Sequence, residues 1–241
     1  MIFTTSYSIT VEELELREDN RYYLNGQLFS GVAEQKEEDK HGEGVYKSGV
    51  KVGGKLYYNE GGQLYMSTTF DMEKGRIETE RSLKDGSRSK VVITPSSIED
   101  IGYYKNNKLK YEEKIKNIDL DLVEVANRGG SALEEAIKNG ENSVVEYRKV
   151  DVEGNLIYYN KVENATGTEI VIEDEEKVVR KGDEKITYYK SGGKKYVESY
   201  IGNMLSTRDI YDEEGKIEKK LYYVDGYENV EYEAPEIENY G

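Results

Sequence analysis

A tyrosine doublet followed closely by a Gly- or Asn-containing turn recurs along the chain, and this repetition constrains the fold more than any other feature. The doublets are Tyr22-Tyr23, Tyr57-Tyr58, Tyr103-Tyr104, Tyr158-Tyr159, Tyr188-Tyr189 and Tyr222-Tyr223. Glycines mark the turns: Gly49, Gly62, Gly75 and Gly86 at steps of 13, 13 and 11, then Gly193, Gly202, Gly215 and Gly226 at steps of 9, 13 and 11. Two such steps make one hairpin of about two dozen residues, a spacing typical of strand-and-turn repeats.

The intervening segments read as strands. In Q-L-Y-M-S-T-T-F, alternation places Leu64, Met66, Thr68 and Phe70 on one face and Tyr65, Ser67 and Thr69 on the other. Asn25-Gly26, Asp85-Gly86 and Asp225-Gly226 suit tight turns that need positive φ. The two prolines, Pro95 and Pro235, fall outside these runs, as ladder hydrogen bonding demands. Adjacent strand residues point to opposite faces, so each doublet puts one aromatic ring on either side of the sheet. A sandwich prefers polar residues on its outer faces, whereas a single layer wet on both sides accommodates tyrosine on each.

The expected fold is therefore mostly all-β: an elongated single-layer antiparallel sheet of repeated hairpins, with one short helix in a central insertion. Residues 1–94 read as a first hairpin array and 151–226 as a second. Between them, residues 95–150 lose the glycine rhythm and read as an irregular insertion. Within it, S-A-L-E-E-A-I-K-N-G predicts a helix near Ala132–Lys138, with Ser131 and Glu134 as a capping box and Gly140 at its end. Residues 227–241 form an acidic tail with five Glu and no Lys or Arg, the composition of a solvated like-charge block.

Only 36% of the 241 residues are hydrophobic and 34% are charged, but 23 Tyr and 24 Gly separate the chain from disordered sequences, which are poor in aromatics. With no Trp and three Phe, a thick core is not expected. The 34 basic and 49 acidic residues give a net charge of −15. Residues 1–94 carry −3, residues 95–150 carry −2 and residues 151–241 carry −10. Direct nucleic-acid binding needs a basic footprint, and this balance argues against it. The absence of Cys removes disulfide and thiolate chemistry and fits a cytoplasmic location. The N-terminus lacks a basic region followed by an apolar run, so no signal peptide is expected, and no apolar stretch is long enough to span a membrane.

The segment D-K-H-G-E-G-V-Y-K-S-G, residues 39–49, resembles the MORN repeat, with His41, Gly42, Gly44, Tyr46 and Gly49 at its motif positions. The following G-V-K-V-G-G-K-L-Y-Y-N-E-G-G-Q-L is similar to the bacterial variant of that repeat, as are E-G-N-L around Gly154 and E-E-G-K-I around Gly215. The Trp of the eukaryotic motif is absent, and residues 95–150 do not match. The resemblance implies successive hairpins in one elongated sheet and scaffold or partner-binding roles without catalysis. Bacterial variants include antitoxin or immunity-like proteins. The lipid binding of eukaryotic members is discounted here, because anionic leaflets repel a −15 chain. Tyrosine doublets before an acidic residue and Gly also resemble the choline-binding repeats of cell-wall proteins, but those rely on Trp.

No catalytic residue, cofactor or metal site is expected. His41 is the single His, and it belongs to the repeat motif as a turn-packing residue. H-G-E-G-V-Y-K has Lys47 where a dinucleotide fingerprint needs its third Gly, and no helix follows. The acidic run Glu173–Glu176 lacks the ligand spacing of a calcium loop. Asn164-Ala165-Thr166 fits a glycosylation acceptor, a short and unspecific pattern. Carboxylate pairs are too numerous for sequence to select one. The expected role is an acidic neutraliser of a basic, nucleic-acid-handling bacterial effector: an antitoxin, immunity protein or other inhibitor. Its alternatives are an envelope or assembly scaffold and a cell-wall carbohydrate-binding protein. The residues expected to meet a basic protein partner are Tyr57, Tyr65, Tyr188 and Tyr222, with Glu231, Glu233 and Glu236 from the terminal segment.

Overall fold

The computed structural model describes residues 8–173 and 175–224, and the backbone alone of residues 227–232. A small sheet comes first: β1 (Glu15–Leu16), β2 (Tyr22–Leu24) and β3 (Gln27–Leu28). Eight antiparallel strands follow: β4 (Gly31–Lys36), β5 (Lys40–Lys47), β6 (Val50–Tyr58), β7 (Leu64–Asp71), β8 (Arg76–Ser82), β9 (Arg88–Thr94), β10 (Ser97–Tyr103) and β11 (Leu109–Lys116). Helices α1 (Leu122–Arg128) and α2 (Gly130–Asn139) precede β12 (Val144–Val150), β13 (Leu156–Glu163), β14 (Thr168–Glu173), β15 (Glu176–Lys181), β16 (Glu184–Tyr188), β17 (Lys194–Ile201), β18 (Met204–Tyr211), β19 (Ile217–Val224) and β20 (Tyr227–Tyr232). The chain divides into two compact units, residues 1–143 with 150–154, and residues 144–149 with 155–241. The expected antiparallel hairpin array is present in both: β4 to β11 pair neighbour to neighbour in the first, and β13 to β20 in the second.

Turn chemistry explains the repetition. Four connections, 83–87, 104–108, 189–193 and 212–216, share one geometry. In each, the first residue's N–H donates to the fifth carbonyl and the fourth N–H donates back to the first, all between 2.8 and 3.1 Å. The fourth residue has positive φ: Gly86 (82°), Asn107 (65°), Gly192 (93°) and Gly215 (87°). This is a type I turn followed by a left-handed residue, which inserts a bulge beside the turn. Asn25-Gly26 does form the expected two-residue turn, with φ of 50° and 79°, and Ser48-Gly49 forms another at 48° and 78°. Asp85-Gly86 differs. Asp85 is not at positive φ; its Oδ1 instead accepts from the Ser87 N–H at 2.8 Å. Asp225-Gly226 lies outside the described residues.

Bulges also correct the face assignment in β7. Tyr65 is the extra residue opposite the Leu56–Tyr57 step, so Leu64 pairs with Tyr57 on the outer face while Met66, Thr68 and Phe70 face inward. On that inner face, Phe70, Ile77, Ile93, Ile98 and Ile115 stand directly opposite one another across β7 to β11, and all five are buried. Each such side chain contributes roughly 1.5–3 kcal/mol when fully buried.

The central region departs from expectation. Residues 97–116 are not irregular: β10 and β11 continue the array. Pro95-Ser96 is simply the two-residue connection between paired Thr94 and Ser97, and the β10–β11 turn uses Asn107 in place of Gly. The helical insertion spans only 117–143 and holds two helices. Asp121 caps α1 by accepting from the Val123 and Glu124 N–H groups at 2.8 and 3.3 Å. The expected Ser131–Glu134 capping box does not form; α2 begins at Gly130, and the Ser131 hydroxyl donates to the Arg128 carbonyl. Leu122 and Val125 of α1 are buried. Asn127 fastens the helix to the small sheet and the β5–β6 turn. Its amide donates to the carbonyls of Asn20 (2.6 Å) and Gly49 (2.9 Å), and its oxygen accepts from the Lys51 N–H at 2.7 Å. Beneath the small sheet, Leu14, Phe29, Ala33 and Tyr46 form a second cluster, with Tyr22 edge-on to Tyr46 at 5.2 Å.

The glycines of the motif allow β5 and β6 to approach. A Cβ on Gly42 would lie 1.9 Å from the Lys55 carbonyl oxygen, and one on Gly54 would lie 2.5 Å from that of Glu43. The second unit has no comparable core: of its described residues, Leu221 is the sole buried apolar side chain, beside buried Thr187 and Glu198.

Gly42→Ala meets rigid backbone, so we expect it to destabilise the first unit by about 3 kcal/mol, the upper range for overpacking. Denaturant midpoints measure this; a loss below about 0.5 kcal/mol, the range of a neutral surface change, contradicts the close approach of β5 and β6.

Candidate functional site

In the first unit the sequence-selected tyrosines fall on opposite faces. Tyr57 points outward, stacked on His41 at 5.9 Å. Tyr65 packs against buried Tyr58 at 5.3 Å, with Lys40 Nζ 4.9 Å from its ring centre. In the second unit, Tyr188 and Tyr222 share one face, since each alternates with a buried inward neighbour, Thr187 and Leu221. Glu231 is placed by backbone pairing with Leu221; Glu233 and Glu236 lie outside the described residues.

Several tyrosine rings, Tyr65 and Tyr188 among them, already hold a cation of the chain itself. Lys177 lies over Tyr188, Lys195 over Tyr189 and Tyr196, Arg208 over Tyr196 and Tyr223, Lys84 over Tyr58 and Arg88 over Tyr103, all within 6 Å of the ring centre. Such contacts satisfy the negative ring face, which leaves these tyrosines poorly suited to cage choline. The second tyrosine of a doublet also acts as a latch. The Tyr104 hydroxyl donates to the Val150 carbonyl at 2.9 Å and that of Tyr189 to the Tyr211 carbonyl at 2.7 Å, each reaching the end of the strand two further on.

Two electrostatic clusters emerge that sequence reasoning did not select. The first sits in the second unit. Glu198 of β17 stands opposite Lys185 of β16 and Arg208 of β18. Its carboxylate is 4% exposed, 2.8 Å from Lys185 Nζ and held by Arg208 Nε and Nη2 at 2.8 and 2.6 Å. Burial pushes the Glu198 carboxyl up, but the hydrogen bonds from Lys185 and Arg208 outweigh it and hold the group below its ordinary value. An acid at an inward position between Tyr196 and Tyr200 was the available signal.

The second cluster lies on the inner face of the first unit, where Asp100 and Glu113 are direct cross-strand partners. Tyr111 donates its hydroxyl to Asp100 Oδ1 at 3.2 Å, and its ring crosses Gly102, where a Cβ would sit 2.1 Å from Cε1. Burial raises Asp100, against the pull of Tyr111 and Arg81; burial and then the charge of Asp100 raise Glu113. Among the direct cross-strand acid pairs, which also include Glu34–Glu43 and Glu173–Glu176, Asp100–Glu113 is the pair on the inner face beside the buried isoleucines.

His41 is not packed in a turn, as the motif reading had it. It is exposed on the outer face, and its Nδ1 is 2.8 Å from Asn59 Oδ1. With Tyr57, Glu34, Glu43 and Val32 it borders an open groove of about 560 Å³. A smaller recess of about 260 Å³ separates α1 from α2, lined by Leu120, Val125, Ala132 and Ala136 with Asp119 and Glu135 at its border. Among the described residues, no group of three Asp, Glu or His is placed to hold a metal ion, and no helix is long and apolar enough to cross a membrane.

Glu198→Ala strands two cations, so we expect a loss of about 3–5 kcal/mol. Because the folded carboxyl is depressed, the clamp's contribution is complete above the ordinary Glu range and is lost as pH falls through the folded value. Asp100 and Glu113 behave oppositely. Their carboxyls are raised, so the folded state holds extra protons and stability declines as pH rises above about 4. Asp100→Asn or Glu113→Gln is expected to stabilise the first unit at neutral pH by about 0.2–1 kcal/mol, the scale of an opposed like-charge pair, with the gain vanishing in acid. Urea melts across pH measure both effects; a gain that persists unchanged in acid rules out the carboxylate pair as its cause. Compared with known proteins, the chain matches no family model and no curated sequence.

Proposed function

We propose that this chain is a non-catalytic binding protein that engages a basic protein, as an antitoxin, immunity protein or other inhibitor of a nucleic-acid-handling bacterial effector. The observation that carries this reading is the concentration of charge: residues 151–241 carry −10 on a thin sheet whose faces are mostly half-wet. The acid excess complements the basic cleft of an enzyme that holds nucleic acid. The resemblance of residues 39–49 to the MORN repeat points the same way, toward partner binding. The cations already seated on the tyrosines weigh against a choline-binding role.

Co-purification from the native host, followed by association kinetics, tests this. The expected partner is basic, and its association rate falls at least roughly tenfold between about 50 and 500 mM salt, as steered encounters do. An acidic partner, or a rate indifferent to salt, overturns the reading.

A further inference from the structure

Among the described residues, the outward face at one end of the second unit carries a group of exposed apolar side chains. Ile201 is 70% exposed, Val224 55%, Met204 53% and Tyr222 39%. Register places these four together. Ile201 and Met204 are direct cross-strand partners flanking the β17–β18 turn. Ser199, two residues before Ile201, pairs with Thr207, which pairs with Tyr222. Alternation then puts Val224 beside Tyr222 on the same face. The patch thus spans three adjacent strands, about 10 Å across at ordinary strand spacing. The sheet does not bury these side chains by turning over, because the opposite face holds the Lys185–Glu198–Arg208 clamp and buried Leu221. Large apolar side chains grouped on an exposed face mark an interaction surface.

We propose that this patch is the docking surface for a cationic amphipathic segment of a protein partner, whose apolar side chains seat on Ile201, Met204 and Val224 while its Lys and Arg answer the acid excess of residues 151–241. Charge complementarity selects this occupant. Residues 151–241 carry −10, and the 15 residues that follow the patch in sequence from Tyr227 contain five Glu and no Lys or Arg. A second copy of the chain brings the same charge and is repelled. An anionic membrane surface is repelled likewise. This inference rests on the reading of the chain as a binder of basic proteins and names where the apolar part of that contact falls.

The test uses the full chain and a synthetic Leu/Lys amphipathic helix of about 18 residues, five turns of helix, with two controls: an all-Lys peptide of equal charge, and the same amphipathic peptide with Glu in place of Lys. Fluorescence anisotropy at low salt is expected to show binding of the Leu/Lys peptide, with a Kd raised roughly tenfold or more by Ile201→Ser with Met204→Ser, as for central anchors. Val224→Ser, alone, is expected to weaken binding in the same direction. All three positions are exposed, so thermal midpoints of the variants should match the parent and separate lost contact from lost fold. Equal affinity of parent and double variant overturns the patch; if that undiminished binding still falls with salt, the acidic-binder reading survives. Failure of both cationic peptides to bind overturns patch and reading together. Equal binding of the Glu peptide, or dimerisation abolished by the double substitution in sedimentation, overturns the cationic occupant.

Discussion

In a sheet with little covering it, the cross-strand pair is the unit that holds neighbouring strands together, and everything else in this protein depends on keeping those pairs in register. A slip of one residue would exchange the inner and outer faces of a whole strand. The turns prevent that. A type I turn closed by a left-handed Gly or Asn fixes how many residues separate two strands, and the bulge it creates compensates for the odd residue so that inward positions continue inward. The Tyr104 and Tyr189 hydroxyls reinforce the same register, each tying its doublet to the end of a strand two further along.

The two units solve the problem of stability differently. The first has a row of five apolar side chains running straight across its strands, a helical insertion, and a small sheet packed over Tyr46. The Asn127 side chain joins helix, small sheet and β5–β6 turn in one set of hydrogen bonds, so the pieces that cover the sheet are also fastened to one another. The second unit keeps a charged group where the first keeps isoleucine. Glu198 is tolerable there only because two cations approach it from both neighbouring strands; a buried carboxylate alone would be costly. These two clusters are consequently expected to contribute in opposite senses in acid, the Asp100–Glu113 pair relieved by protonation and the Glu198 clamp lost by it.

The same arrangement bears on function. Tyrosines that hold a Lys or Arg against their own faces serve the sheet's cohesion first and leave only part of their surface for a partner. The second unit also exposes apolar side chains at Ile201, Met204 and Val224, within a stretch of sequence carrying −10, the combination on which the proposed basic partner rests. Of the tyrosines singled out from sequence, Tyr222 stands in that patch, Tyr57 borders a groove with His41, and Tyr65 and Tyr188 are engaged by lysines.

The sequence by itself determined the antiparallel hairpin character, the approximate strand boundaries and the placement of aromatic rings on both faces, because turn residues and two-residue alternation are local properties that any stretch of chain carries with it. It also determined the net charge and where along the chain the acid lies. The tertiary structure alone decided which acids meet. Glu198 finds its cations, and Asp100 finds Glu113, only through the alignment of neighbouring strands, and that alignment depends on bulges invisible to periodicity, as the displaced Leu64 illustrates. The middle of the chain departs from its local signals for a related reason: Asn107 replaces Gly in a turn, Gly102 makes room for a ring rather than a bend, and no Ser131–Glu134 cap forms at the start of α2.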